Sequence, residues 1–172
     1  MANEIERKFK VKRLPLEFLE TILPLEIAQT YLEAPEGEER RVRAINNKKF
    51  VMTVKRPTQN SNVREEIEKE ISEDNYKLFL KGQIGNQIKK KRFKIPADNG
   101  LTYELDIYDG ELKGLMVVEV EFPTEEMANN FIAPDWFGEE VTSNKAYKNA
   151  SLAMKGMPID KVQNRNCGMV KE

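Results

Sequence analysis

The chain has no histidine and a single cysteine, Cys167, in 172 residues. The lack of histidine excludes Ser-His and Cys-His catalytic pairs and histidine-ligated metal sites. Any metal site must then rely on oxygen ligands, which suit hard cations. A lone cysteine cannot form an internal disulfide, which is consistent with a reducing compartment.

Long apolar runs and a charge excess of one sign are also lacking. No run approaches the ~20 apolar residues that span a bilayer, and no N-terminal segment resembles a signal peptide. Lys+Arg 28 and Asp+Glu 29 nearly cancel, to a net charge of -1. Proteins that bind nucleic acids or membrane surfaces usually carry a basic excess. We therefore expect a cytoplasmic protein that binds neither nucleic acid nor membrane.

What the sequence has in abundance is alternation of apolar and charged residues, which is typical of strands. The alternation predicts strands at 3–12, 38–46, 49–56, 63–71, 87–96, 101–108 and 115–122, with a weaker candidate at 27–33. Helical spacing predicts helices at 15–23, 73–81, 124–132 and 143–155, with Ser72 and Thr124 as N-caps. About eight strands with few helices indicate a barrel or a strongly curved antiparallel sheet.

The charged faces of these strands carry charges of like sign on alternate residues. The sets are Glu4 and Glu6 before Lys8; Arg41 and Arg43; Glu66, Glu68 and Glu70; Lys90, Arg92 and Lys94; Glu104 and Asp106; and Glu119 and Glu121. For any single strand, a solvated face is the ordinary explanation. For the whole set, a closed barrel with the charges inside would surround an anion with bases and hold a cation with carboxylates.

The same residues occur in segments that resemble a known family. EIERKF at 4–9 matches an ExExK signature, and it is followed in order by QTYLE at 29–33, RRVR at 40–43, TVK at 53–55, REEIE at 64–68, KKKRF at 89–93, ELDIYDGEL at 104–112, VEVEF at 118–122, WFGEEVT at 136–142 and NKAYKNASLA at 144–153. The series resembles the CYTH family of triphosphate tunnel metalloenzymes, in particular its short bacterial members similar to inorganic tripolyphosphatase.

The resemblance implies an α+β fold, mainly antiparallel β. Its form would be a closed eight-stranded barrel tunnel with flanking helices and a C-terminal helix near one mouth. Residues 1–157 would form this domain, and residues 158–172 would be a flexible tail. A homodimer is one possible assembly.

The resemblance also implies roles for individual residues. Phosphate ligands would be Lys8, Arg41, Arg43, Lys55, Lys90, Arg92 and Lys145. Metal ligands would be Glu4, Glu6, Glu119 and Glu121, with Glu66, Glu68, Glu104 and Asp106 as further metal ligands or as groups that orient the bases. With no histidine present, the attacking water must lose its proton to a Glu, to metal-bound hydroxide or to a lysine whose pKa is lowered by neighbouring cations. Lys8, beside Tyr31, and Lys90 are the candidate lysines.

The implied activity is hydrolysis of a triphosphate with Mg²⁺ or Mn²⁺, most simply inorganic tripolyphosphate to pyrophosphate and phosphate. Alternatives within the family are a nucleoside triphosphatase, a thiamine triphosphatase and a class IV adenylyl cyclase. A module that binds polyphosphate without catalysis is the alternative outside enzymes.

Overall fold

Nine antiparallel strands form one sheet in the computed structural model, which describes residues 5–60 and 64–159. The strands are β1 (Ile5–Val11), β2 (Leu25–Leu32), β3 (Glu39–Ile45), β4 (Lys49–Pro57), β5 (Arg64–Ile71), β6 (Gln83–Pro96), β7 (Thr102–Asp109), β8 (Met116–Phe122) and β9 (Phe137–Glu140). Their order across the sheet is β5-β4-β3-β2-β6-β7-β8-β1-β9. The predicted α+β class, mainly antiparallel β with few helices, is confirmed.

In the described part of the chain, four short α-helices accompany the sheet: α1 (Leu16–Leu19), α2 (Glu73–Phe79), α3 (Glu125–Asn130) and α4 (Asn149–Lys155). The predicted caps are present, because Ser72 Oγ accepts from the Asn75 amide and Thr124 Oγ1 accepts from the Met127 amide. None of the helices in the described ranges has the length and apolar character needed to cross a membrane.

The apolar side of the strand alternation packs under these helices. One cluster, which includes Phe9, Leu105, Val118 and Phe122, lies under α1 and α3. A second cluster, built on Val42, Ala44, Phe50 and Tyr76, lies under α2. Burying these faces stabilises the sheet, and it leaves the charged residues of the same strands on the opposite face.

Helix α4 is seated across one end of β6 by a glycine. Gly85 has a φ of +67°, and a Cβ at this position would lie 2.7 Å from the backbone oxygen of Ala153. Glycine therefore serves both the left-handed backbone and the close approach of the helix. Leu152 and Ala153 are both 1% exposed in the cluster that results, and the first turn of α4 is held beside the charged face of the sheet.

The structure does not show the closed eight-stranded barrel that was predicted. The sheet has a ninth strand, β9, and between residues 5–60 and 64–159 no hydrogen-bonded pairing joins β5 to β1 or β9. Seven of the eight residues of β5 are exposed. Four of them, Glu65, Glu66, Glu68 and Glu70, are acids, and a charged edge resists pairing with another strand. At the other edge, β9 is only four residues long.

Residues 160–172 lie outside the described residues. The predicted boundary after residue 157 and the flexible tail therefore stay predictions.

Candidate active site

The strand registers bring the predicted charged residues onto one face of the sheet. Glu6 lies opposite Glu121, Lys8 lies opposite Glu119, and Glu119 lies opposite Glu104 on its other side. Further along the sheet, Arg92 pairs with Asp106, Arg43 with Gln29, Arg41 with both Tyr31 and Thr53, and Lys55 with both Glu39 and Glu66. Cross-strand partners share a face, so the alternation read from the sequence selects the correct side of each strand.

This face encloses a cavity of about 390 Å³ that receives side chains from β1 through β8. Because eight strands contribute to one cavity, the sheet must curl around it even though its edges are not joined. Cavities that bind small ligands typically have volumes of about 300–1,000 Å³. Of the predicted residues, the cavity is lined by Glu6, Lys8, Tyr31, Arg41, Arg43, Lys55, Arg92, Glu104, Glu119 and Glu121.

One wall of the cavity is acidic. It consists of Glu6 from β1, Glu104 from β7, and Glu119 and Glu121 from β8. Burial raises the pKa of the Glu6 carboxyl to about 7, and the charge of Glu119 and a hydrogen bond with it act in the same direction. The backbone therefore holds two carboxyl groups together where both cannot readily be ionised unless a cation lies beside them.

The opposite wall is basic, and one of its cations has an unused donor. Arg41, Arg43, Lys55 and Arg92 line this wall. Among the described residues, Arg43 Nε is a buried side-chain nitrogen with no hydrogen-bond partner. Burial lowers the pKa of Arg43, partly offset by the charge of Glu68. A buried donor without an acceptor destabilises a protein, so its presence on a cavity wall indicates that a ligand supplies the acceptor.

Lys90, Asp106 and Arg92 form a buried ion cluster at the base of this wall. Asp106 Oδ2 accepts from Lys90 Nζ at 2.8 Å, and the same carboxylate accepts from Arg92 Nε at 2.8 Å and from Arg92 Nη2 at 3.0 Å. Lys90 and Asp106 are each 3% exposed, and neither lines the cavity. Asp106 thus fixes the guanidinium of Arg92, and Lys90 supports Asp106 from behind.

Lys8 is held at the junction between the acidic wall and the segment before α4. Its Nζ donates to the backbone oxygen of Tyr147 at 3.1 Å and lies 3.4 Å from Glu119 Oε1. Tyr31, on the other side of the cavity, accepts a hydrogen bond from Gln29 Nε2 at 2.9 Å. Burial raises the pKa of the Tyr31 hydroxyl, although the charge of Arg41 opposes the shift, so this hydroxyl keeps its proton at neutral pH.

A sequence model of the CYTH domain matches residues 2–155 of the chain. The chain belongs to the CYTH domain family. It is 40% identical over 153 residues to an inorganic triphosphatase of Nitrosomonas europaea, which covers 88% of this chain and 97% of the relative. It is 33% identical over 153 residues to an inorganic triphosphatase of Acetivibrio thermocellus, covering 88% of this chain and 94% of that protein. The family resemblance seen in the sequence is confirmed.

A solved structure agrees with this assignment. The crystal structure of an inorganic triphosphatase matches this CYTH chain with a TM-score of 0.69 at 36% identity, over 90% of this chain and 97% of that one. The likeness covers most of this chain, so the cavity lies in a fold shared with that protein.

The donor set of this CYTH cavity fits a hard divalent cation only in part. Among the described residues, no three acidic side chains converge closely enough to hold a metal ion by themselves. Mg²⁺, however, typically keeps several waters and takes one or two carboxylates plus substrate phosphates. The close pair of Glu6 and Glu119 satisfies this smaller requirement, with Glu121 on the same wall.

Several predicted residues lie elsewhere. Glu4 falls outside the described residues. Glu66 and Glu68 are exposed on β5 and do not line the cavity, although Glu68 Oε2 accepts from Thr53 Oγ1 at 3.3 Å. Lys145 is exposed on a 3₁₀ turn, Lys145–Tyr147, that precedes α4, and the cavity is lined instead by Lys148 at the cap of that helix.

The cavity also contains residues that the sequence analysis did not select. These are Gln29, Glu39, Arg64, Asn149 and Ala150, together with Lys148. Three of them could have been found from the alternation, because Gln29 shares a face with Tyr31, Glu39 with Arg41, and Arg64 with Glu66 and Glu68. Lys148 and Asn149 depend on where α4 begins, which the alternation does not report.

Proposed function

We propose that the protein is a triphosphatase that hydrolyses inorganic tripolyphosphate to pyrophosphate and phosphate with the help of a divalent cation. The observation that carries the proposal is the cavity whose acidic wall faces a basic wall containing the unpartnered Nε of Arg43. A polyanion fits the basic wall, and a cation between the polyanion and the carboxylates would satisfy both. The inorganic triphosphatases to which the chain is similar support the same substrate.

The basic residues would bind the phosphate oxygens. Guanidinium groups offer paired donors for phosphate oxygens, and lysines offer compact charges. We assign this role to Lys8, Arg41, Arg43, Lys55 and Arg92, with Lys148 in the place that the sequence suggested for Lys145. Lys90 would act indirectly, because its ammonium contacts Asp106 and not the cavity.

The acidic residues would hold Mg²⁺ or Mn²⁺. We assign direct or water-mediated contacts to Glu6, Glu119 and Glu121; Glu4 keeps this role as a prediction from the sequence. Oε1 of Glu104 lies 3.7 Å from Nη1 of Arg92. This contact fits a role in which Glu104 orients the guanidinium of Arg92. When bound, the cation would offset the negative charge that develops on the phosphate oxygens.

Hydrolysis would follow an in-line displacement. A water oxygen forms a bond to the terminal phosphorus while the bond from that phosphorus to the bridging oxygen breaks, and pyrophosphate leaves with the bonding electrons. One proton of the water stays on the phosphate that forms, and the other is released to solvent. Lys8 and Arg43 would stabilise the negative charge of the phosphate oxygens. Tyr31 keeps its proton and can donate it in a hydrogen bond, so we assign it to orientation of the substrate and not to proton removal.

The alternatives fit the cavity less well. Tyr31 is the aromatic residue that lines it among the described residues, and it is only 3% exposed. Tyr103 and Trp136 pack with Phe137 on the outer face. No aromatic face is therefore available to stack against the base of a nucleotide or the ring of thiamine. A binding module without catalysis would gain nothing from an acidic wall beside its polyanion.

A substrate panel tests the function. Purified protein should release phosphate from tripolyphosphate, measured by colorimetric assay, with a rate that depends on added Mg²⁺ or Mn²⁺. We expect much slower release from ATP and thiamine triphosphate at equal concentrations, and no cyclic AMP from ATP. Metal-dependent binding of tripolyphosphate without phosphate release would refute the proposed enzymatic activity. Faster release from an organic triphosphate would show that this compound, and not tripolyphosphate, is the preferred substrate.

The pH dependence of stability tests the carboxyl pair. Because the pKa of Glu6 is raised from 4.5 to about 7 in the folded state, the folded protein binds this proton more tightly than the unfolded chain. The melting temperature of the metal-free protein should therefore fall as pH rises from about 4.5 to about 7. Glu6 is partly exposed to solvent, which reduces the size of the effect.

The replacement Glu6→Gln should flatten this dependence and raise the metal-free melting temperature near neutral pH, as measured by scanning fluorimetry. It should also reduce the stabilisation that Mg²⁺ gives to the wild-type protein above the raised pKa. Glu126→Gln, at an exposed position on α3, is the matched control and should leave both curves unchanged. A Glu6→Gln protein that melts at a lower temperature than the wild type at neutral pH would contradict the assignment.

Three properties stay proposals from the sequence. Closure of the sheet into a complete tunnel would need β5 to approach β1 or β9 when polyphosphate is bound, and Arg64 of β5 already lines the cavity. A cytoplasmic location and a homodimer rest on the sequence alone.

A further inference from the structure

Tyr108, on β7, is a buried tyrosine that has no role in the proposed reaction so far. Its side chain is 3% exposed and belongs to the apolar cluster beneath α4, with Leu152 and Ala153. Lys90 Nζ lies 5.4 Å from the centroid of its ring, a distance at which an ammonium group is attracted to an aromatic face. These contacts hold the phenol in one place, at the base of the helix whose first turn borders the active-site cavity.

The hydroxyl of Tyr108 fixes the orientation of the Asn149 side chain. Tyr108 Oη donates to Asn149 Oδ1 at 2.8 Å. A phenol keeps its proton at neutral pH, and a buried hydroxyl needs an acceptor for that proton. The amide oxygen of Asn149 is such an acceptor, whereas the reversed amide would present a nitrogen, which cannot accept. Asn149 therefore faces Tyr108 with its oxygen and keeps both protons of Nδ2 for other partners.

The nitrogen end of this amide belongs to the active-site cavity. Asn149 is half-buried and lines the cavity next to Lys148. Among the described residues, Nδ2 of Asn149 donates to no acceptor. It is nevertheless accessible, because Arg43 Nε is the buried side-chain nitrogen that lacks a partner in that part of the chain. The cavity therefore receives an uncharged donor whose direction is set from outside the cavity.

We propose that Asn149 is a further substrate-binding residue, which donates from Nδ2 to a phosphate oxygen of the bound triphosphate, and that Tyr108 is its positioning residue. This role rests on the proposed function and extends phosphate binding from charged groups to a neutral one. Ionised phosphate oxygens are strong acceptors, so a donor with a fixed direction suits them. Because the amide carries no charge, it binds a phosphate oxygen without adding to the mutual repulsion of the neighbouring cations.

Two replacements of Asn149 test the contact. In Asn149→Ala, KM for tripolyphosphate should rise by about tenfold, the effect of losing one hydrogen bond to a charged group. In Asn149→Asp the rise should be larger, because one carboxylate oxygen still accepts from Tyr108 and the other repels phosphate where Nδ2 now lies. The kcat should stay close to the wild-type value, since a contact made equally in the ground and transition states changes KM alone. Asn129→Asp, at an exposed position on α3, is the matched control and should keep wild-type kinetics.

Tyr108→Phe removes only the hydroxyl and tests the positioning role. The amide of Asn149 would then rotate, and KM should rise by about threefold, less than in Asn149→Ala. In an Asn149→Ala background the same replacement should leave KM unchanged, because no amide remains to be oriented. A tyrosine that only packs beneath α4 would instead have the same effect in both backgrounds.

Initial rates of phosphate release over a range of tripolyphosphate concentrations, with saturating Mg²⁺, give KM and kcat for each protein, and scanning fluorimetry checks that each is folded. If the wild type releases no phosphate from tripolyphosphate, the proposed function fails and the role of Asn149 fails with it. If the wild type is active but folded Asn149→Ala and Asn149→Asp proteins keep its KM, or lose kcat alone, the function stands and Asn149 is not a phosphate ligand. Equal effects of Tyr108→Phe in the two backgrounds would show that Tyr108 does not position Asn149.

Discussion

Replacement of Glu119 by glutamine is expected to lower kcat/KM for tripolyphosphate by roughly 10²-fold or more. Groups that only support a metal ligand already change activity or affinity by about 10–100-fold when removed, and Glu119 is assigned to contact the cation itself. It also lies 3.4 Å from Lys8 Nζ and acts on the pKa of Glu6. Steady-state phosphate release over a range of Mg²⁺ concentrations measures the loss.

The structural effect of the same change should be small or favourable. Glutamine keeps the shape of glutamate and removes its repulsion of Glu6, so the metal-free melting temperature should not fall. Glu126→Gln, which carries the same chemical change on an exposed helical residue, should keep wild-type kinetics. If the Glu119→Gln enzyme keeps a turnover close to that of the wild type across the metal titration, Glu119 does not contact the cation.

The alternation of the sequence predicts the strands and their faces well because it reports side-chain direction directly. All of the predicted strands are present, and the weaker candidate at 27–33 corresponds to β2, Leu25–Leu32. Strand β9 was not predicted, since its four residues, Phe137–Glu140, are too few to show a period. Its place in the sheet comes from pairing with β1, which no local pattern encodes.

Helix boundaries were less predictable where a local turn competes with the helix. The spacing predicts one helix over 143–155, but Lys148 is extended, with φ of -72° and ψ of 141°. Asn144 accepts from the Ala146 amide through its side chain, which stabilises a separate 3₁₀ turn. This break moves Lys145 to the surface and brings Lys148 to the cavity.

Alternation identifies a face, but it does not report depth along the strand or the position of the strand in the sheet. Glu66 and Glu68 share the face of Lys55 and Thr53, yet they are exposed because β5 is an edge strand. Lys90 and Asp106 share the face of Arg92 and Glu104, yet they are buried beside each other. Only the packing of distant segments separates the residues that line the cavity from those that support it.

Replacement of Asp106 by asparagine is expected to lower the free energy of unfolding by about 3–5 kcal/mol, the range for breaking a buried ion pair from one side. Lys90, at 3% exposure, and Arg92 would then face a neutral amide. Burial alone would raise the pKa of Asp106, but the charges of Lys90 and Arg92 and their hydrogen bonds outweigh it and lower that pKa. The contribution of Asp106 to the stability of the wild-type protein should therefore persist at pH values above the ordinary pKa range of carboxyl groups. It should be lost as the pH falls below that range.

Chemical denaturation of three variants tests whether the ion cluster of Lys90, Asp106 and Arg92 provides this stability. Asp109→Asn, at the exposed end of the same strand, should change stability by no more than about 0.5 kcal/mol. Lys90→Met should be milder than Asp106→Asn, because Asp106 would retain both hydrogen bonds from Arg92. If Asp106→Asn folds at low temperature, its KM for tripolyphosphate should rise because Arg92 loses its fixed orientation. Equal stability of the Asp106→Asn and Asp109→Asn proteins would show that the carboxylate does not hold the two bases in place.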